Sequence, residues 1–222
     1  MTRKHLIFLH GFASSGQGAK AQFLRQKCYA LPDVEFHAID FNPTPRDFEF
    51  MTVTGMINRL RQYILDRQLT NIRLIGSSMG ALVALNYAHR FNDVENLLLL
   101  APALAYRFRV SRTESAQWQE AGVGPVYHFA FEKEVPLRYA FEEDGAKFAH
   151  PVSPPVKTLI VHGRSDDVLP IQNSRDYAAD YPNLVQLVEV ASDHRLNDQL
   201  DLIWEQVAAF SLTDSSDLPP GL

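Results

Sequence analysis

The chain has 222 residues, 46% of them apolar and 21% charged, and a formal net charge of −5. This length buries a sizeable core without metals or disulfides to staple it, in keeping with one domain spanning 1–222. The negative balance offers no broad positive field to nucleic acid or to an anionic membrane surface, so neither is an expected partner.

A short polar and basic start, Met1 to His5, runs into the apolar stretch Leu6 to Leu9. That stretch is too short for the apolar region of a signal peptide and for a bilayer span, and no later run approaches membrane length. A soluble cytoplasmic protein is expected. The single cysteine, Cys28, excludes an intramolecular disulfide, fits a reducing compartment and reads as a small apolar residue on a helix face.

Short β-branched or Leu-rich runs predict strands at 5–9, 34–39, 71–75, 96–101, 157–161 and 184–190. Between the second and third, Val53, Ile57, Leu60 and Ile64 recur at helical spacing, and near the end Leu196, Leu200, Ile203, Val207 and Phe210 do the same. Leu97 to Leu100 is uniformly apolar, as a strand covered on both faces must be. The alternation predicts an α/β fold: a doubly wound, mostly parallel sheet of about six to seven strands.

Residues 103–155 break the rhythm and predict a lid-like insertion after the fourth strand. They carry Arg107, Arg109 and Arg112, two aromatic-rich stretches, and Pro151, Pro154 and Pro155. Pro125 to Phe131 and Leu137 to Phe141, on either side of Glu132, Lys133 and Glu134, predict a hairpin, with a short helix before it around Trp118. Trp118, Tyr127 and Phe129 are candidate substrate contacts, or else the insertion's own small core. From Thr213 the tail is polar and rich in Pro and Gly, and is expected to be loose.

The chemistry begins at Gly76-Ser77-Ser78-Met79-Gly80, a G-x-S-x-G run between the predicted strand ending at Ile75 and the helix-forming Ala81 to Leu85. Small residues two before and two after the serine allow a sharp reversal that projects the Ser78 hydroxyl. The following helix turn has unpaired N–H groups close by. Ser77 lies one place off the centre and should point elsewhere. A serine needs a base, and the base needs an orienting acid. Asp166 and Asp167 follow the fifth predicted strand and His194 follows the sixth, so Ser78, an acid and His194 occur in the chain order of an α/β-hydrolase. His10, Gly11 and Phe12 close the first strand. The backbone N–H groups of Phe12 and Met79 are the candidate oxyanion donors, and His10 is read as a structural residue holding that loop.

His10-Gly11-Phe12 with Ser14, Ser15, Ala19 and Lys20, the Ser78 elbow, His162-Gly163-Arg164-Ser165-Asp166 and the late His194 together resemble the small YqiA-type serine esterases of the α/β-hydrolase superfamily. The resemblance covers about 5 to 210 and implies an esterase with Ser78, Asp166 and His194 as triad and no cofactor. Its acid stands three residues after the glycine of the strand-end His-Gly pair, which selects Asp166 over Asp167. Ala81 departs from that pattern, which often has a further glycine there, and the 103–155 insertion is longer than the pattern suggests. The expected partner is a small-molecule ester, and the expected assembly a monomer or homodimer.

Other readings compete. Gly11, Gly16 and Gly18 sit between a strand and a helix, but Gln17 occupies the lysine position of a P-loop and no G-x-G-x-x-G is present, which disfavours a nucleotide site. A thioesterase or lipid hydrolase would use the same triad, and a non-catalytic module would not need it. Arg107, Phe108 and Arg109 would suit an anionic acyl carrier but read more simply as a solvated face. His5, His37, His89, His128 and His150 are scattered, with no H-E-x-x-H and no second cysteine, so no metal is expected.

Overall fold

The computed structural model describes residues 3–107 and 112–213. The Phe108-Arg109 part of the basic stretch and the tail beyond Thr213 lie outside the described residues. In chain order, Lys4–Leu9 forms β1, Ala19–Tyr29 α1, Val34–Ile39 β2, Pro45–Glu49 α2, Val53–Asp66 α3, Ile72–Ser77 β3, Met79–Phe91 α4 and Val94–Leu100 β4. Arg112–Ala121 (α5), Val123–His128 (β5), Lys133–Arg138 (β6) and Ala140–Gly145 (α6) follow. The chain ends in Thr158–Gly163 (β7), Gln172–Asp180 (α7), Val185–Val190 (β8) and Leu200–Gln206 (α8).

Six strands pair in the order β2-β1-β3-β4-β7-β8, every pair parallel. Alternation along each strand divides the apolar residues between two cores. Ile7, Leu9, Leu74, Leu97, Leu99 and Ile160 face α3 and α4. Leu6, Phe8, Ile75, Leu98, Leu100 and Val161 face α1 and α8. Both faces are thus covered, which is why β3 and β4 carry near-continuous apolar sequence. The stripe Val53, Ile57, Leu60 and Ile64 is buried as its spacing predicts, and Thr52 caps that helix by accepting the Gly55 N–H at 2.9 Å. Cys28 is buried on α1, where loss of solvent pushes its thiol up to about 11. Among the described residues no helix is long and apolar enough to cross a membrane.

The hairpin is present, shifted from its expected limits. Lys133 and Glu134 are not in the turn but pair with His128 and Tyr127, and the reversal occupies residues 129–132. The period of two decides it: Val135 and Leu137 are buried while Glu134, Pro136 and Arg138 are exposed, and residues from Ala140 on turn helical. The C-terminal helix also starts later than its apolar stripe, because Leu196 adopts a left-handed conformation (φ 53°) ahead of it while staying fully buried.

The segment after β4 is anchored to the rest of the molecule. The Thr54 N–H and hydroxyl both donate to Asp144 at 2.7 Å, and Arg138 donates to Glu49 at 2.8 and 3.0 Å. The Phe129 N–H donates to the Ala13 carbonyl at 2.9 Å. That last bond brings Phe129 beside the loop after β1.

Candidate active site

The chain runs from β1 to β2 on one side and, through β3, to the other side of the sheet. Such a reversal opens a crevice at the carboxyl ends of the strands. Ser78 stands there at φ 53° and ψ −116°, outside the conformations an L-residue prefers. The surroundings hold it. Its N–H donates to the Leu100 carbonyl at 2.9 Å, and its own carbonyl accepts from Ala81 at 3.0 Å and Ala103 at 3.1 Å. A side chain at Gly76 would meet the Ala81 backbone at 2.5 Å, and one at Gly80 would drive into the Leu9 carbonyl, so both glycines are required by close approach. Ala81 is fully buried and fits without disturbing the turn.

The Ser78 hydroxyl donates to His194 Nε2 at 3.0 Å, and His194 Nδ1–H donates to Asp166 Oδ2 at 2.8 Å. Asp166 has no exposed side-chain surface. Its Oδ1 accepts the N–H groups of Val168 at 2.9 Å and Leu169 at 2.7 Å, and Oδ2 accepts a second histidine, His162, through Nε2 at 3.0 Å. Burial alone would raise this carboxyl. The hydrogen bonds from His162, His194 and Leu169 outweigh it and hold Asp166 well below the usual carboxylate range. His162 is itself fixed, with Nδ1 accepting from the Ser174 hydroxyl at 2.8 Å. Sequence reasoning used His162 only as a landmark; its position four residues before the acid, at the end of a buried strand, was the available cue. Asp167 is exposed and lines the mouth of the crevice, and it is Asp166 that accepts the hydrogen bond from His194 Nδ1.

The loop carrying His194 is tied on both flanks. Asp193 Oδ1 accepts the N–H groups of Arg195 at 2.8 Å and Leu196 at 3.3 Å, and the Ser192 hydroxyl donates to Asp198. From α1, Lys20 Nζ donates to the Arg195 carbonyl, one peptide beyond the histidine, and to Asn197 Oδ1 at 3.4 Å. Burial pulls the Lys20 ammonium down to about 8, with Asp193 opposing the shift.

The loop after β1 faces the serine. A Cβ at Gly11 would stand 3.3 Å from that of Ser78. His10 Nδ1–H donates to the Gly11 carbonyl at 2.8 Å and Nε2 accepts the Phe41 N–H at 3.0 Å, so both ring nitrogens are engaged in holding the loop. Asn42 donates to the Ser14 carbonyl at 3.2 Å. The Phe12 ring packs between Phe48 and Phe141 at centroid distances of 5.6 and 5.4 Å, which anchors the backbone beside Ser78. Met79 opens α4, so its N–H belongs to a first turn that has no intrahelical acceptor.

A cavity of about 670 Å³ opens over these groups, lined by Phe12, Ser78, Phe129, Val168, His194 and Lys20 among others. Of the three aromatics singled out in the insertion, Phe129 alone lines it. Trp118 donates its Nε1–H to the Leu137 carbonyl at 3.0 Å and meets Tyr139 edge-on, inside the small core of the hairpin. Tyr127 is half exposed and stands edge-on to Phe129, away from the cavity.

The sheet order, the Ser78 turn and the loops converging on it define a member of the α/β-hydrolase superfamily. Within it, the chain belongs to the uncharacterised protein family UPF0227, whose model matches residues 5–211, in keeping with the YqiA-type resemblance of its motifs. None of the curated proteins compared matches the chain in sequence. Among solved structures, the mouse alpha/beta hydrolase domain-containing protein 10 superposes with a TM-score of 0.75 at 20% identity, covering 94% of this chain and 90% of its own. An esterase from Exiguobacterium antarcticum gives 0.69 at 15%, covering 96% and 93%. Est1E from Butyrivibrio proteoclasticus gives 0.69 at 18%, covering 95% and 88%. At these identities the likeness establishes the fold.

Proposed function

We propose that the protein is a serine esterase that cleaves a carboxylic ester of a small or medium-sized substrate through an acyl-enzyme on Ser78. The observation that carries this reading is the unbroken hydrogen-bond chain from Ser78 through His194 to Asp166, at 3.0 and 2.8 Å, under an open cavity. Ser78 attacks the ester carbonyl as His194 Nε2 takes its proton. Asp166 stabilises the imidazolium without itself accepting a proton, and the N–H groups of Phe12 and Met79 hold the negative oxygen. His194 then protonates the leaving alcohol, water deacylates the serine by the same route, and no step calls on a cofactor. The cavity volume falls within the range of small-molecule sites, roughly 300–1,000 Å³, and Phe129 and Val168 give it an apolar wall. In this reading the protein acts in the cytoplasm as a monomer or homodimer.

A panel of p-nitrophenyl esters and acyl thioesters of graded chain length tests the proposal. Ester turnover above that of the thioesters supports it; thioester preference moves the same triad to a thioesterase, and absence of both activities defeats it. Against pH, kcat/KM should rise through a single ionisation, that of the base. No second step should follow on the acid side down to about pH 5, because Asp166 stays ionised far below that. A profile flat from about pH 5 to 9 would contradict a histidine base.

Lys20→Met should lower kcat by about ten- to a hundred-fold and leave KM within about two-fold, since a small displacement of the base weakens reaction more than binding. The Lys20 ammonium fastens the peptide next to His194. Steady-state kinetics on one ester check this, and a change confined to KM would mean that Lys20 contacts substrate instead.

A further inference from the structure

At the opposite end of the sheet from Ser78, parallel pairing joins three metal-ligating side chains that the sequence keeps apart. His5 on β1 and Glu35 on β2 are register partners, and His37 stands two residues beyond Glu35. Alternate residues of a strand share a face, so all three project to the same side. His5 Nδ1 and His37 Nε2 lie 3.1 Å apart. The two oxygens of the Glu35 carboxylate lie 4.0 Å from His5 Nδ1 and 3.9 Å from His37 Nε2. Among the described residues this is the group of three such side chains whose ligand atoms all fall within 4.8 Å of one another.

We propose that His5, Glu35 and His37 bind a zinc ion that clips the edge strand β2 to β1, with water as the fourth ligand. At zinc–ligand distances of about 2.0–2.2 Å, tetrahedral ligand atoms sit roughly 3.4 Å apart. The imidazoles therefore part by about 0.3 Å and the carboxylate closes in by about half an ångström. Two imidazoles and one carboxylate suit zinc, whereas calcium and magnesium prefer an all-oxygen set. His37 is nearly buried, and its Nδ1 is hydrogen-bonded to the Tyr63 hydroxyl from α3 at 3.0 Å. An outer partner of this kind orients a ligating histidine. With Nδ1–H donated to Tyr63, Nε2 presents its lone pair to the metal, and His5 need only carry its proton on the far nitrogen.

Two cations border the group. Arg3 pairs with Glu35 at 3.0 Å, and the Arg67 guanidinium lies over the Tyr63 ring at 3.9 Å. Arg3 is largely exposed, so it competes with the ion for Glu35 but can swing into solvent.

The test is uptake of zinc by the full chain in equilibrium dialysis, followed by titration with cobalt, whose visible absorption reports tetrahedral nitrogen and oxygen ligands. The wild type should bind one equivalent with a rise in melting temperature. His5→Ala and Glu35→Gln, neither at a fully buried position, should each weaken binding by at least ten-fold. Arg3→Ala, which frees Glu35, should tighten it several-fold. Failure of the wild type to take up zinc, or an affinity unaffected by both ligand substitutions, would overturn the proposal. Ester turnover by Glu35→Gln should equal that of the wild type, so this result is independent of the hydrolase reading.

Discussion

Replacing Ser78 by alanine is expected to lower ester turnover about a million-fold, a loss of about 8 kcal/mol of transition-state stabilisation, while the protein stays folded. In the proposed mechanism no acyl-enzyme forms without the hydroxyl, and what persists comes from the proposed oxyanion donors and from binding. The fold should survive because the bonds that hold the elbow belong to the backbone: the Ser78 N–H to Leu100 and its carbonyl to Ala81 and Ala103. Alanine carries the same Cβ at the same positive φ, so it adds no strain. The neighbouring Ser77→Ala should keep most of its activity, since it is the Ser78 hydroxyl that meets His194. Steady-state rates on a p-nitrophenyl ester, with a thermal melt of each variant, check both claims. A Ser78→Ala protein that keeps a tenth of wild-type activity contradicts the assignment.

Asp166→Asn should lower turnover by about three to four powers of ten, and Asp167→Asn by less than about ten-fold, or 1.4 kcal/mol. An amide at position 166 offers one acceptor oxygen where the carboxylate now receives four hydrogen bonds, and it holds His194 in the wrong tautomer. The same site predicts an acid signature. The folded Asp166 carboxyl lies below its ordinary value of 3.8. It therefore contributes stability that is fully present above that pH and is lost as pH falls toward the folded value. Melting temperature should fall more steeply below about pH 4 for the wild type than for Asp166→Asn. An exchange of these behaviours would make Asp167 the orienting acid, and full activity in both variants would show that Asp193 or an acid elsewhere orients His194.

Much of this arrangement was legible along the chain because it depends on local pattern. Apolar runs marked the six strands of the main sheet, and the G-x-S-x-G turn and the acid and histidine after later strands marked the residues that come together beside the cavity. Asp166 could be chosen over Asp167 only through the family resemblance, since composition treats adjacent acids alike. Contacts set by register or packing stayed hidden. The second histidine on Asp166 depends on how β7 turns, and the hold of Lys20 on the His194 loop spans 175 positions. The aromatics of the insertion could not be divided by type. Phe129 faces the cavity because its backbone is tied to Ala13, whereas Trp118 closes on its own hairpin. His5 and His37 looked scattered for the same reason: parallel pairing, not spacing in sequence, joins them to Glu35.

The most direct test of the central claim is to treat the protein with a fluorophosphonate probe and map the adduct by peptide mass spectrometry. One phosphonylated residue, Ser78, is expected, with labelling retained in Ser77→Ala and lost in Ser78→Ala. An adduct on another residue, or no adduct on a folded protein, would contradict that claim.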